Sequence, residues 1–372
     1  MRIKLLILIF FLLIHTGCTD IRILEDIGFI HGMALDIKVK EEYDYRRNLL
    51  ITVSIPQIEQ AAKKNREVLT TVGRSDKEAM LSFARQSNRQ LVSGQLKNIL
   101  YGLELAESGI GENIDTLNRD PTFGSRIKIS VVNGSANELL SRDYPEHPRT
   151  SQYIDEMLEK EAQLNVIPET RLYHFTKDLF DDGRDPVAPV LKMGKNEIIV
   201  DGIGLFQDDR YITKLEPGDS RVFFFLRGDF TEGALHFDIE DEEKNKPAQL
   251  LYDSLENHRR ISVDTSKFPD LEVNIELNIR GSLLEYNGTL DITNKTELHH
   301  LEQIIEGKIK AHAEEIVKVM QEEKVDSIGI GKVVRKHLDY ETWSSIDWRD
   351  IYSNAMITIE VHAVIKDIGY FS

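Results

Sequence analysis

The chain has 372 residues, 41% of them apolar and 29% charged, which is the balance of a folded protein and rules out a disordered tail or a bundle of membrane spans. Its formal charge is −17, a field that repels phosphate backbones and anionic bilayers, so no nucleic-acid partner is expected and any membrane attachment must be hydrophobic. A single cysteine excludes an intrachain disulfide framework and a multi-thiolate metal site.

That cysteine, Cys18, stands at the end of the first recognisable segment. Arg2 and Lys4 are followed by ten apolar residues, Leu5–Ile14 (LLILIFFLLI), and then by the small residues Thr16 and Gly17. Ten apolar residues are half of the ~20 needed to cross ~30 Å of hydrocarbon. The segment resembles a bacterial lipoprotein signal, although His15 stands where such signals usually carry an apolar residue. The resemblance implies cleavage before Cys18 and a diacylglycerol on its thiol. Two acyl chains hold a protein stably on a bilayer where one does not. An ordinary secretory peptide with a nearby Cys is the alternative. Residues 1–17 are thus expected to be a signal peptide.

Beyond it, Asn48–Ile55 (NLLITVSI), rich in β-branched residues and ended by Pro56, predicts a strand. A helical pattern over about 77–89 follows, with Ser75 as N-cap and Glu78 completing a capping box. Leu91–Gly102 reads as one strand, 103–118 as one helix, and Arg126–Val132 (RIKISVV) as a strand. Alternating strands and helices predict a mixed α/β domain. Two helical stretches, 151–164 and 169–180, follow the Pro-containing Arg142–Arg149, and DDGRDPVAP (Asp181–Pro189) has the composition of a linker or exposed loop. The domain division is placed near residues 190–197, giving an N-terminal domain of 18–195, with helical segment 150–180 as a candidate subdomain, and a C-terminal domain of 196–372.

In the second half, Asp201–Leu215 predicts a hairpin around Gln207-Asp208-Asp209. Val222–Leu226 (VFFFL) is far too short for a membrane span and reads as a strand. Leu271–Arg280 (LEVNIELNIR) alternates strictly, and Ile357–Lys366 nearly so, as strands of an antiparallel sheet with one wet face do. Between them, about 297–324 carries an apolar stripe, Leu298, Leu301, Ile305, Ile309, His312, Ile316 and Met320, at helical spacing. The expected fold class is α+β: a mixed α/β N-terminal domain followed by an antiparallel sheet with a long helix.

A search for chemistry finds none. His299-His300 lie ~100° apart on a helix and cannot share a metal. Gly202/Gly204 and Gly329/Gly331 each form G-x-G without the third glycine of a dinucleotide fingerprint. Asp238–Lys246 lacks the glycine and terminal glutamate of a calcium loop. No catalytic residue, cofactor site or metal site is predicted.

Four segments carry a family resemblance. GCTDIRILEDIGFIHGMALD (Gly17–Asp36), Gln90–Leu140, GIGLFQDDRYITKL (Gly202–Leu215) and DSIGIGKVVRKHLDYETW (Asp326–Trp343) together are similar, in order, to the Ger(x)C family of spore germination lipoproteins. Thr19 departs from the Trp frequent there after the Cys. The resemblance implies a non-enzymatic subunit of a nutrient germinant receptor, lipid-anchored through Cys18 on the outer face of the spore inner membrane. It also implies two integral-membrane partners, the A and B subunits. The alternative is an extracytoplasmic solute-binding lipoprotein of a transporter, which would show a ligand cleft between two similar α/β lobes. A lipid-anchored hydrolase ranks third, for want of a nucleophile or metal pattern.

Overall fold

The computed structural model describes residues 26–38, 48–57, 65–228, 230, 232–240 and 246–367. Cys18 and the expected signal peptide lie outside the described residues.

The first half is built on strands β1 (Ile27–Phe29), β2 (Gly32–Ile37), β3 (Leu49–Pro56), β4 (Arg66–Gly73), β5 (Gln90–Val92), β6 (Asn98–Gly102), β7 (Lys128–Val132), β8 (Val187–Met193), β9 (Ile198–Gln207) and β10 (Arg210–Leu215). Eight of them form one sheet in the order β10-β9-β8-β7-β6-β2-β3-β4, and β1 pairs with β5 apart from it. The central strands β2, β6, β7 and β8 are parallel. β6 and β7 are buried along their whole length, as strands covered on both faces must be. Helices α1 (Asp76–Phe83), α2 (Leu103–Ser108), α3 (Gly111–Arg119), α4 (Ala136–Ser141), α5 (Thr150–Gln163) and α6 (Leu172–Leu179) cover those faces. Phe83, Leu105, Ile114 and Phe175 place α1, α2, α3 and α6 on one side. Leu139, Ile154 and Leu158 place α4 and α5 on the other. The two helices of segment 150–180 therefore pack on opposite faces of the same sheet.

Two expected elements are divided. The strand expected at Leu91–Gly102 is β5 and β6, which join different sheets across a turn closed by Leu96 N–H on the Ser93 carbonyl. The helix expected over 103–118 breaks at Gly109, whose φ of 104° a side chain would oppose. There Asp209, from the β9–β10 hairpin, accepts the Gly111 N–H at 2.8 Å. Ser75 caps α1 as predicted, with its side chain accepting from Glu78 N–H, but α1 ends at Phe83.

The second half carries β11 (Leu235–Ile239), β12 (Ala248–Asp264), β13 (Glu272–Tyr286) and β14 (Met356–Asp367), ordered β11-β12-β13-β14. Its helices are α7 (Ser220–Arg227), α8 (Lys295–Glu322), α9 (Ile330–Val334), α10 (Tyr340–Ser345) and α11 (Trp348–Asn354). Val273, Ile275, Leu277 and Ile279 of β13 meet Leu301, Ile305, Ile309, Ile316 and Met320 of α8 in one core. Each such buried side chain contributes roughly 1.5–3 kcal/mol by leaving water. His312, expected in the stripe, instead shares a hydrogen bond with Asp219 at 2.6 Å.

Two expectations fail here. Val222–Leu226 is not a strand but the body of α7, closed by Gly228 in the left-handed conformation. All five residues are buried, so the run shows no periodicity that could distinguish helix from strand. The sheet is also not wholly antiparallel. β14 runs parallel to β13, because a helical crossover returns the chain to the same end. β14 lies at the sheet edge, where the N–H groups of Ala363 and Ile365 are bonded by Glu306 and Glu302 of α8.

The first sheet continues past residue 195: the expected division falls in the turn between β8 and β9, and β9–β10 complete that sheet. Val187, Ile203, Leu205 and Leu215 also belong to the core of the second half. The two halves are therefore joined through β8–β10.

Candidate functional site: the junction between the halves

The run Asp181–Pro189 has a linker's composition, but its first residues are clamped against the segment that opens with Asp326. Asp185 N–H donates to the Asp326 carbonyl at 3.0 Å, and Asp326 N–H donates to Asp185 Oδ2 at 2.7 Å. One turn further, Lys332 N–H donates to the Gly183 carbonyl at 3.0 Å. The backbones touch at this point, and a side chain on Gly331 would lie 2.6 Å from Gly183 Cα.

Asp326 organises the second strand of this clamp. Its buried carboxylate accepts from Gly329 and Ile330 N–H at 2.8 and 2.9 Å, from Gly331 N–H at 2.7 Å, and from Trp348 Nε1 at 3.2 Å. Gly329 adopts φ 81° to turn the chain. The Gly329/Gly331 pair thus serves a tight turn and a close backbone approach, and a carboxylate of the chain itself holds the amides. Trp348 continues the network by packing on Trp343 and Tyr352, with ring centres 5.6 and 6.0 Å away.

Ion pairs flank the clamp. Arg227, buried at the end of α7, donates to Asp178 Oδ2 at 2.6 Å and to the Ser327 carbonyl at 2.7 Å. Asp181 pairs with Lys332 at 2.5 Å and Arg335 at 3.4 Å. Arg349 pairs with Asp208 at 2.5 Å and lies 3.7 Å from Asp185. Burial pushes the Asp185 carboxyl up to about 6, the neighbouring Asp326 charge adds to this, and the donated N–H groups and Arg349 oppose it. Burial also raises the Asp326 carboxyl, against the pull of its three backbone donors and Trp348.

Two clefts open beside the clamp. One, of about 480 Å³, lies between the α5–α6 connection and α7, with Asn165, Thr170, Phe175, Phe224 and Arg227 in its walls. The other, of about 450 Å³, is walled by Asp182, Asp208, Trp343, Ile346, Asp347 and Arg349. At the carboxyl ends of the central strands, where open α/β sheets bind ligands, the chain uses its own carboxylates. Asp36 accepts from Ala136 and Asn137 N–H at 2.9 and 2.6 Å, and Asp201 pairs with Lys192 at 2.6 Å.

Cys18, the one site residue predicted, lies outside the described residues. His299 sits on the exposed side of α8, 3.2 Å from Glu302. Among the described residues no group of three or more His, Cys, Asp or Glu could hold a metal, and no helix is long and apolar enough to cross a membrane. The junction was not predicted. Its signals, an Asp-rich run and a G-x-G about 140 residues apart, look like a linker and a turn when taken singly.

The geometry defines a bipartite α+β protein whose halves are stitched by buried carboxylates, with clefts at the seam. Two family descriptions match it in succession: the spore germination protein N-terminal domain over residues 20–193, and the spore germination B3/GerAC-like C-terminal domain over residues 201–369. The chain belongs to the Ger(x)C family of spore germination proteins. It is 25% identical to spore germination protein GerQC of Bacillus cereus, over 95% of each chain. It is 22% identical to spore germination protein B3 of Bacillus subtilis (strain 168), over 98% of each. The crystal structure of the GerBC protein has the same fold, with a TM-score of 0.55 at 15% identity, covering 90% of this chain and 97% of that one.

Proposed function

We propose that this protein is a non-enzymatic, lipid-anchored subunit of a nutrient germinant receptor. Cys18 carries the lipid on the outer face of the spore inner membrane, and integral-membrane A and B subunits are the partners. The observation that carries this reading is the succession of both germination-protein domains over residues 20–193 and 201–369. The position of the one cysteine directly behind an apolar run of ten supports the anchor. A transporter's solute-binding lipoprotein would have two similar α/β lobes, whereas here a long helix on a four-stranded sheet follows the α/β half.

The test is germination of spores lacking this gene, in a strain whose other nutrient receptors are removed. Nutrients are compared with a trigger that bypasses receptors. Loss of the nutrient response with the bypass intact is the expected result. An unchanged nutrient response would overturn the proposal.

A further inference from the structure

We infer that the groove between the Asp181–Asp185 turn and the Trp343–Arg349 segment docks a basic segment of a partner protein. This inference rests on the receptor-subunit reading above. The groove measures about 450 Å³, and six aspartates against two arginines stand among its lining residues. Asp178 and Asp185 are committed to the clamp. Asp181 pairs with Lys332 and Arg335. Asp182, with a side chain 75% exposed, lies 3.7 Å from Arg335, and the exposed Asp347 caps α11 by accepting from the N–H groups of Arg349 and Asp350. The Asp208 side chain, 65% exposed, accepts from the guanidinium of Arg349, and its N–H donates to Asp185 Oδ1 at 3.3 Å.

The groove is also aromatic. Trp343 and Ile346 are part-exposed in its wall. Tyr340, one helical turn before Trp343, is 83% exposed. Phe180, between the lining residues Leu179 and Asp181, is 68% exposed. Apolar side chains of this size in contact with water, beside a lining in which aspartates outnumber arginines, mark an interaction surface. A tryptophan face beside exposed carboxylates, whose surface ion pairs contribute little and can be exchanged, suits a guanidinium or ammonium group, through cation–π attraction and charge-assisted hydrogen bonds.

Charge selects among occupants. An anionic bilayer is repelled by the aspartates, and a second copy of this chain, at −17, is repelled as a whole. The described residues hold no compact set of ligands for a metal ion. A peptide segment with arginine or lysine between apolar anchors satisfies both the acidic rim and the aromatic wall.

The test places a photo-crosslinking benzoylphenylalanine at Tyr340 or Phe180 of the full-length protein in its native membranes, with Leu81 of α1, also exposed, as the control position. The expected result is an adduct from both of these positions, which flank the groove in sequence, to one partner protein, mapped by mass spectrometry to a segment of net positive charge. Its yield should fall about fivefold with Asp182→Lys, or with added salt, as rim charges steer association. Asp182→Lys should leave the melting temperature nearly unchanged, since the residue is exposed and its surface pair with Arg335 contributes little. Adducts only to lipid, to a second copy, or to a neutral or acidic segment would overturn the inference. So would adducts no stronger than at Leu81, or none. Deletion separates the two readings. If deletion abolishes the nutrient response while the groove yields no adduct, the receptor reading stands and the groove inference falls. If deletion is silent, the receptor reading falls, and the groove inference falls with it.

Discussion

Gly183 and Gly331 cross so closely that a Cβ on either would press into the other's backbone, at 2.5 Å from Gly331 C in one direction and 2.6 Å from Gly183 Cα in the other. This contact lets the Asp185–Asp326 hydrogen bonds form and fixes the two halves against each other.

The crossing is open to direct test. Gly331→Ala should destabilise the protein by about 1–3 kcal/mol, because backbone rather than a flexible side chain must yield. Gly183→Ala should cost more, since φ is 97° there as well. Gly134→Ala is the control. Its φ is 124°, but nothing lies within 4 Å of the added methyl, so only backbone strain remains. Urea midpoints of the three variants should order accordingly.

Asp326→Ala removes the acceptor of three backbone N–H groups and of Trp348 Nε1, leaving buried donors without partners. The expected loss is about 3–5 kcal/mol. Tryptophan fluorescence during urea unfolding would report it. A loss below about 1 kcal/mol would show that the carboxylate does not organise the clamp.

The Asp185 carboxyl gives a pH signature. The folded protein holds this proton up to about pH 6, whereas an unfolded chain releases it near about pH 4. Between these values the folded state binds more protons, so its stability falls as pH rises across the window. The difference corresponds to about 2–3 kcal/mol. Asp185→Asn should abolish that component. Stability measured from pH 4 to 7 in both proteins, and subtracted, should slope downward and then level off above pH 6. A flat difference would contradict the assignment.

Cys18→Ala should move the protein from the membrane fraction to the soluble fraction, because the acidic body has no electrostatic hold on an anionic bilayer. Fractionation in high salt is the measurement. Retention at wild-type level would remove the lipid anchor from the proposed function.

The elements legible in advance were those whose pattern is local. Val273, Ile275, Leu277 and Ile279 alternate, and β13 lies where they place it. Leu301, Ile305, Ile309, Ile316 and Met320 recur at helical spacing, and α8 buries that face. Both follow from side-chain direction along a single element, which a sequence states outright. Val222–Leu226 has no such direction, since every residue is apolar, and only its enclosure by core on all sides settles it as helix.

By itself, then, the sequence determined the α+β class, the amphipathic elements and the position of a single cysteine behind an apolar run of ten. The tertiary structure decided the parallel pairing of β14, the helical state of α7 and the clamp at the seam. Each of these depends on partners far along the chain: Asp185 finds Asp326 at a separation of 141 residues, and Arg227 finds Ser327 at 100. Carboxylates that read as a solvated linker become buried acceptors only when the chain brings amides to them, and no local periodicity records that meeting.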